Sequence, residues 1–309
     1  MSRIIDISQA DADRFSLGTV HARHRFEQSG LFSDDTLAEL IDGYPTEHFE
    51  INTSIDHADG SQEWRHGTIG ARTGSEVLEA VRNGKLWINL QHLETVAPRY
   101  HALVKRAFAE IEDRNPRFRA MRHNTGLLIS SPQARVLYHC DIPVIALWHI
   151  RGRKRLWLYP DTEELLPMTE REKVVLRETE EEIPYRKEFD AQAQVFDLEP
   201  GDALSWKMHT PHRVDNLEGL NVSITTSYFT PAARMLYGVV YANGAMRRLA
   251  GINATSIKAT GPVAWGKCAI AAAVRMSGVL KPNERVYETT FEVDPSRALG
   301  YAPIADSKA

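Results

Sequence analysis

The pattern of apolar and polar positions changes character twice along the chain. Residues 1–119 show mostly helical spacing, residues 120–230 consist of short apolar runs between Gly and Pro residues, and residues 231–309 return to helical spacing. Many short runs separated by turn residues are typical of a β-sandwich or a jelly-roll barrel. The sequence therefore predicts a mainly β fold with flanking helices: a jelly-roll core at 120–230, an N-terminal α/β region that packs on the barrel, and a C-terminal helical pair.

Within the core, period-2 alternation and turn residues define the individual strands. They are predicted at 125–130, 135–139, 144–150, 154–159, 194–198, 203–206 and 221–229. Residues 151–152 are interpreted as a two-residue hairpin loop, which would pair His149 with Lys154 and place both side chains on one face. Residues 161–190 interrupt the series and are predicted to form an excursion from the barrel, with the acidic run 178–182 as a solvated face.

Outside the core, helical spacing dominates. Ser33 is predicted to cap one helix, and Thr230 is predicted to cap another that runs toward Gly251. Further helices are predicted at 75–83, 98–113 and 262–280, and further strands at 86–90 and 285–293. Residues 46–74 are polar and contain glycines and scattered residues such as His57 and Asp59, so this segment is interpreted as a loop with solvated side chains.

Composition and charge narrow the possible partners and compartment. The 309 residues carry 41 acidic and 37 basic side chains, and a net charge of -4 gives no bulk electrostatic reason to expect nucleic acid or a membrane as a partner. Lys267 and Arg275 interrupt the apolar stretch 262–280, which is therefore interpreted as a buried helix and not a membrane span. Two cysteines, Cys140 and Cys268, and no signal-like N-terminus indicate a reducing, cytoplasmic location.

One stretch of the core carries candidate metal ligands. His139 and Asp141 are two positions apart in a predicted strand, so both side chains face the same side, and Cys140 between them faces the other. Two histidines and one carboxylate bind iron(II) on one face and leave three positions open. His212 is the predicted third ligand; His209 is its competitor, and its alternative place is the mouth of the pocket.

These residues resemble the cupin-like JmjC family of iron(II)- and 2-oxoglutarate-dependent oxygenases, in particular the branch that includes the asparaginyl hydroxylase of the hypoxia-inducible factor. His139 and Asp141 match the first metal motif of that family. Lys154, thirteen residues after Asp141, matches the lysine that holds the distal carboxylate of 2-oxoglutarate. Gly201–Leu204 match the turn before the last ligand, and His212 falls on the position of that ligand. The resemblance implies a double-stranded β-helix core that uses Fe(II), 2-oxoglutarate and O2.

Several further residues are expected around the co-substrate. Lys154 would be an ammonium in a largely apolar barrel, where a carboxylate is the partner that it requires. His149 is expected to line the same pocket. Ser227 stands where the relative has an asparagine that contacts 2-oxoglutarate, and Asn124 and Thr125 are candidates to reach the co-substrate from the preceding strand.

The resemblance implies hydroxylation of a substrate, or demethylation where the carbon is bound to nitrogen, with release of succinate and CO2. Lys207, Thr210 and Pro211 depart from the family pattern near the last ligand, so the substrate is not carried over. A peptide side chain and a small molecule both remain open as substrates, with residues 46–74 or 161–190 as a lid. The alternatives are a non-catalytic cupin-like module that binds a metal or ligand, and a metal-dependent isomerase or epimerase.

The two C-terminal helices have more apolar surface than a peripheral pair requires. Ala232, Leu236 and Val239 in the first helix and residues 269–274 in the second suggest burial against another surface. In the branch that the sequence resembles, a C-terminal helical pair forms a homodimer. The resemblance therefore implies a homodimer through residues 231–280; the alternative is that both helices pack on the barrel.

Overall fold

The computed structural model describes residues 3–56, 62–132, 134–179, 183–283 and 287–304. The strands described are β1 Ile5–Asp6, β2 Val20–His24, β3 Phe49–Asp56, β4 Gln62–Thr68, β5 Trp87–Leu90, β6 Met121–Ser130, β7 Arg135–His139, β8 Val144–Leu158, β9 Gln194–Leu198, β10 Asp202–Trp206, β11 His212–Phe229, β12 Thr289–Val293 and β13 Tyr301–Pro303. The α-helices are α1 Gln9–Arg14, α2 Asp34–Asp42, α3 Gly74–Asn83, α4 Leu93–Val96, α5 Pro98–Arg114, α6 Met168–Leu176, α7 Pro231–Ala250 and α8 Pro262–Ser277.

The core is an antiparallel ribbon that is folded across its middle. Its first half has the strand order β10-β8-β11-β6, and its second half has the order β9-β8-β11-β7. The strands β8 and β11 run through both halves. Apolar side chains from the two halves pack together in one buried cluster: Ile145, Leu147, Leu156, Leu158, Leu198, Leu204 and Trp206. This arrangement is the predicted double-stranded β-helix, with the cluster as the interior of the barrel.

The predicted hairpin at residues 151–152 is wrong, because β8 continues without reversal from Val144 to Leu158. Gly152 bends the strand with φ +78°, and β11 follows the bend with register shifts between Asn216 and Ser223. The extra residue at the bend changes the strand parity. His149 and Lys154 therefore both face the interior although they do not pair with each other.

The flanking strands extend the first half of the ribbon on both sides. β2 and β1 continue it beyond β10, and β5, β3, β4, β12 and β13 continue it beyond β6. The loop predicted at 46–74 is therefore wrong, because β3 and β4 form an antiparallel pair inside this segment. The alternation of Ile51, Thr53 and Ile55 was the signal for β3. His57 and Asp59 lie outside the described residues.

The excursion at 161–190 leaves the barrel and is attached to the C-terminal region. Its helix α6 packs on α7, and the fully buried carboxylate of Glu172 pairs with Arg247 at 2.7 Å and with Arg248 at 2.9 Å. Glu178, at the start of the predicted solvated run, also pairs with Arg248, at 2.7 Å. Residues 180–182 lie outside the described residues. A buried charge held by two guanidinium groups fixes this segment against α7.

The C-terminal helices begin after Thr230 and Gly261, and their burial differs. The side chain of Thr230 caps α7 as predicted, and most of the middle of α7 is buried. The second helix, predicted to be buried, is mostly exposed: in α8 only Ala264 and Ala271 are buried, while Trp265 and Met276 are 68% and 83% exposed. Among the described residues, no helix is long and apolar enough to cross a membrane.

Gly152→Ala is expected to destabilise the protein more than Gly219→Ala. Both glycines have positive φ, but a Cβ at Gly152 would lie 2.8 Å from Cγ of Asn221, whereas at Gly219 the nearest atom is 3.8 Å away. Gly219→Ala adds only the backbone cost, about 1 kcal/mol, and Gly152→Ala adds overpacking, for a total of about 2–4 kcal/mol. Urea unfolding measures both values. Equal losses for the two variants would show that the close approach at the bend is unimportant.

Candidate metal centre

The three predicted ligands lie together at one end of the barrel. His139 is the last residue of β7, and His212, the first residue of β11, is its cross-strand partner. Asp141 lies two residues beyond the end of β7, so the prediction that it shares a strand with His139 is wrong. One ligand atom from each of the three residues lies within 4.8 Å of the others. The pairing of β7 with β11 therefore builds a His-Asp-His group from distant parts of the chain.

Backbone carbonyl groups orient both imidazole rings. Nδ1 of His139 donates to the carbonyl oxygen of Leu137 at 2.7 Å, and Nδ1 of His212 donates to that of Thr210 at 3.0 Å. A proton on Nδ1 leaves the lone pair of each ring on Nε2, and in His212 this is the atom directed toward Asp141. The rings are therefore held in the tautomer and orientation that a metal ligand requires.

The electrostatics of the group favour a cation. Nε2 of His212 lies 3.2 Å from Oδ2 of Asp141, and the rings of His139 and His212 are 4.0 Å apart. Burial, and secondarily the neighbouring His139, lowers the pKa of His212 well below its usual range, so the ring is neutral at pH 7. A carboxylate and two imidazole lone pairs that face each other repel unless a cation lies between them. The donor set fits a divalent transition metal such as iron(II).

His209 lies outside this group, and its predicted place at the mouth of the pocket is wrong. Its side chain is buried, and burial lowers its pKa to about 3. Its φ of +61° belongs to the turn that leads into His212. Neither ring nitrogen has a hydrogen-bond partner in the described structure. Because the ring is enclosed, it is not available at a surface opening.

Lys154 lies on the interior face of β8, and Asn216 on β11 is its cross-strand partner. Its side chain is buried, and burial lowers its pKa to about 7. Among the described residues, no carboxylate lies within ion-pair distance of the Lys154 ammonium group. Oδ1 of Asn216, opposite Lys154, is buried without a hydrogen-bond partner. A buried ammonium without an anion is costly. The interior of the barrel therefore has an unmet requirement for an anionic group.

His149 lines the same interior but its hydrogen bonds are complete. Nδ1 accepts from Oγ of Ser223 at 3.0 Å, and Nε2 donates to the carbonyl oxygen of Gly152 at 3.0 Å. Burial, and secondarily the charge of Lys154, lowers the pKa of His149 to about 3. The neutral ring therefore supports the bend at Gly152, and neither nitrogen is left to bind a co-substrate.

The two neighbouring candidates on β6 face opposite sides. Asn124 is the cross-strand partner of Ser227, which in turn lies opposite Ile145 on the interior face. Thr125 points to the other face, where its hydroxyl bonds with Nδ1 of His101 at 2.9 Å. The expectation that Thr125 reaches the co-substrate is therefore wrong, because successive strand residues point to opposite faces.

A cleft of about 510 Å³ leads away from the metal group along the extended sheet. His139 lies at one side, and β3, β4 and β5 supply the floor through residues such as Asn52, Trp64 and Trp87. The residues of β3 and β4 were missed because their segment was interpreted as a loop. Their alternating pattern could have revealed two strands, but not that these strands reach the site.

Comparisons with known proteins give matches only among solved structures. No protein-family model matches the sequence, and no curated protein matches it. A crystal structure of YcfD from Escherichia coli is 16% identical, covers 92% of this chain and 70% of that chain, and has a TM-score of 0.49. A structure of YcfD, described as a ribosomal oxygenase in complex with cobalt and 2-oxoglutarate, is 18% identical over 85% of this chain and 66% of that chain, with a TM-score of 0.42. Scores and identities this low do not assign an activity, so the function must follow from this chain's own residues.

Lys154→Met is expected to stabilise the ligand-free protein at pH 7. The folded-state pKa of about 7 lies below the unfolded value of 10.5, so the unfolded chain binds more protons between these pH values. The free energy of unfolding of the wild type therefore increases as pH rises from 7 to 10.5. The variant has no lysine at this position, so its free energy of unfolding lacks this pH dependence. Urea unfolding in a chelator should show an advantage of about 2–4 kcal/mol at pH 7 that shrinks by pH 9.5. The control, Lys207→Met, removes an exposed pair with Asp161 and should change stability by less than about 1 kcal/mol. A Lys154→Met variant less stable than wild type at both pH values would contradict the assignment.

Proposed function

We propose that the protein is an iron(II)- and 2-oxoglutarate-dependent dioxygenase that hydroxylates or demethylates its substrate, with release of succinate and CO2. The observation that carries the proposal is the buried ammonium of Lys154, which no carboxylate of the described residues neutralises, in the same barrel as a three-ligand metal group. A dicarboxylate such as 2-oxoglutarate would be a partner for both groups, since one end can chelate a metal and the other can neutralise an ammonium group.

Each part of the site has a separate task in this proposal. His139, Asp141 and His212 would hold iron(II) on one face and leave the opposite face open. When bound, iron and 2-oxoglutarate supply the oxidising chemistry, which uses O2 and is the cofactor's own. Lys154 would bind the distal carboxylate, and the same ammonium group would donate a hydrogen bond to the amide oxygen of Asn216. The protein would thus fix the positions of the metal and the co-substrate and neutralise the distal carboxylate.

The barrel interior excludes water from the reacting groups. Leu147, Leu156 and Leu204 are all buried in the apolar cluster inside the barrel. Trp206 lies 4.8 Å from the His212 ring and restricts its rotation. A dry interior strengthens the attraction between the ammonium and a carboxylate, because less solvent screens the charges. Ser227 and Asn124, at the metal end of the interior face, are proposed to contact the co-substrate there.

The first experiment is an anaerobic titration of the metal-free protein with iron(II) and then with 2-oxoglutarate, followed by the visible charge-transfer absorption band. The wild type should develop the band, and Asp141→Ala should lose it because the metal group is broken. Lys154→Met should need roughly a hundredfold more 2-oxoglutarate, since it removes a buried charge pair. Lys207→Met, at an exposed lysine, is the matched control and should behave as wild type.

Two results would overturn the proposal. A wild type that binds iron(II) and develops no band with 2-oxoglutarate would favour a non-catalytic metal-binding module or a metal-dependent isomerase. Equal 2-oxoglutarate requirements for Lys154→Met and wild type would separate the buried ammonium from the co-substrate.

We propose a homodimer through residues 231–280. Trp265 and Met276 are eleven residues apart and therefore lie on one side of α8, where they are 68% and 83% exposed; Val263, at the start of the helix, is 72% exposed. Exposed apolar side chains grouped in this way are typical of a protein interface. Ala271 of α8 already packs on α7, so a second copy of the chain would cover what the monomer leaves open.

Light scattering after size-exclusion chromatography tests the dimer. The wild type at micromolar concentration should have twice the mass of one chain, and Trp265→Glu should be monomeric because a charge cannot be buried in an apolar interface. Leu17→Glu, at an apolar residue that is 65% exposed elsewhere on the surface, is the control and should remain a dimer. A monomeric wild type would contradict the proposal.

We further propose a cytoplasmic location. Neither Cys140 nor Cys268 forms a disulfide bond in the described part of the chain, and Cys140 is buried. Cysteines that form no disulfide are typical of a reducing compartment.

A further inference from the structure

Arg171 on α6 is a buried cation whose charge is only partly matched. Its side chain is 4% exposed, and Nη2 donates to the carbonyl oxygen of Asp161 at 3.3 Å. Oδ2 of Asp161 lies 3.8 Å from Nη2, which is beyond hydrogen-bond distance. Nε and Nη1 are buried and have no hydrogen-bond partner in the described structure. A guanidinium group does not lose its proton in a protein, so Arg171 keeps its charge in spite of burial.

Asp161 does not fully neutralise Arg171, because a second cation shares it. Oδ1 of Asp161 accepts from Nζ of Lys207 at 2.9 Å, so one carboxylate faces two positive charges. The next residue of α6 is different, since the carboxylate of Glu172 bonds directly to two guanidinium groups of α7. Among the described residues, the side of α6 that carries Arg171 therefore has an excess of positive charge.

His209 adds a second unmatched group to the same region. Its side chain is buried, and neither Nδ1 nor Nε2 has a hydrogen-bond partner in the described structure. Burial, and next the charge of Arg171, lowers the pKa of His209 to about 3, so the guanidinium group lies near the ring. The neutral ring has one N–H donor and one acceptor. That N–H is therefore another buried donor without a partner, close to Arg171.

The two side chains lie where the excursion meets the turn that leads to the third metal ligand. The backbone N–H of Tyr159 donates to the carbonyl oxygen of Pro211 at 2.9 Å and joins the start of the excursion to this turn. His209 is three residues before His212. Neither Arg171 nor His209 is part of the lining of the cleft beside the metal group. The unmatched donors therefore belong to a separate, enclosed place in the fold.

We propose that Arg171 and His209 bind a small inorganic anion of the size of chloride, between α6 and the turn that leads to His212. The anion would accept hydrogen bonds from the guanidinium group and from the imidazole N–H. A water molecule could accept the same hydrogen bonds, but only an anion also neutralises the charge that Asp161 leaves unmatched.

Burial limits the size of this ligand. His209 is 1% exposed and Arg171 is 3% exposed, so the ligand has to fit within the packed contact between the excursion and the turn. An organic dicarboxylate such as the proposed co-substrate is too large for this place. The bound anion would join α6 to the turn and so hold the approach to His212 in position.

Bromide tests the site in the wild type, because it replaces chloride and scatters X-rays anomalously. Crystals of the full chain grown in sodium bromide should show an anomalous peak in contact with nitrogen atoms of both Arg171 and His209. A water molecule at this position without anomalous signal would overturn the proposal, and so would bromide that is found beside Lys154 and not here.

Urea unfolding in a chelator measures the effect of the anion in solution. Sodium chloride replaces sodium gluconate, whose anion is too large for the site, at constant ionic strength. Once chloride exceeds its Kd, each tenfold increase in chloride should raise the ratio of folded to unfolded wild type about tenfold. A wild type whose stability is the same in both salts would contradict the proposal. The measurement contains no iron or 2-oxoglutarate, so its result does not depend on the proposed oxygenase.

Matched variants assign the effect to this site. Arg171→Met should lose the dependence on chloride, because it removes the cation. His209→Phe keeps a ring of similar size and should bind chloride about tenfold more weakly, the equivalent of one lost hydrogen bond. Lys154→Met is the control, since it removes a different buried cation, and it should respond to chloride as the wild type does. Equal responses of Arg171→Met and wild type would overturn the proposal.

Discussion

The bend in the β8–β11 ribbon is the constraint on which the rest of the structure depends. Folding the ribbon at Gly152 brings its two halves face to face, so that one interior contains residues from strands far apart in the sequence. The bend also changes the strand parity, and it therefore decides that His149 and Lys154 both point inward. The hydrogen bond from His149 to Gly152 stabilises the same bend from inside the barrel. The backbone geometry at Gly152 therefore determines which side chains the site contains.

The interior that results is less stable than an apolar one of the same size would be. Lys154 is buried and has no carboxylate partner among the described residues, and the side-chain oxygen of Asn216 opposite it has no hydrogen-bond partner there. Burial of such groups opposes folding, because the hydration that they lose is not replaced by a matching partner. Strain and unmet charge of this kind are typical of binding sites, where the ligand supplies what the protein lacks. The proposed co-substrate would supply a carboxylate in that place.

Outside the barrel, two additions to the fold create the cleft. The flanking strands β5, β3 and β4 widen the sheet and carry its floor beyond the barrel, while the excursion carries the facing wall. Glu172 joins that wall to α7 through Arg247 and Arg248, so the C-terminal helices contribute to the shape of the site without touching it. A change in the packing of α7 would therefore move the excursion and alter the shape of the cleft.

The sequence by itself determined the elements whose signals are local. Alternation and turn residues predicted β7, β9 and β10 within one residue, and Ser33 and Thr230 were recognised as caps because a cap acts within one helical turn. The resemblance to the JmjC family, carried by the motifs that contain His139, Asp141, Lys154 and His212, indicated the residues that lie inside the barrel and at its metal end. Only the tertiary structure decided that β8 bends at Gly152 where a hairpin was expected, that Thr125 faces outward, and that residues of β3 and β4 line the floor of the cleft. These features depend on which strands become neighbours. A glycine at a bend and a glycine in a hairpin have the same local preferences, and only the partner strand distinguishes them.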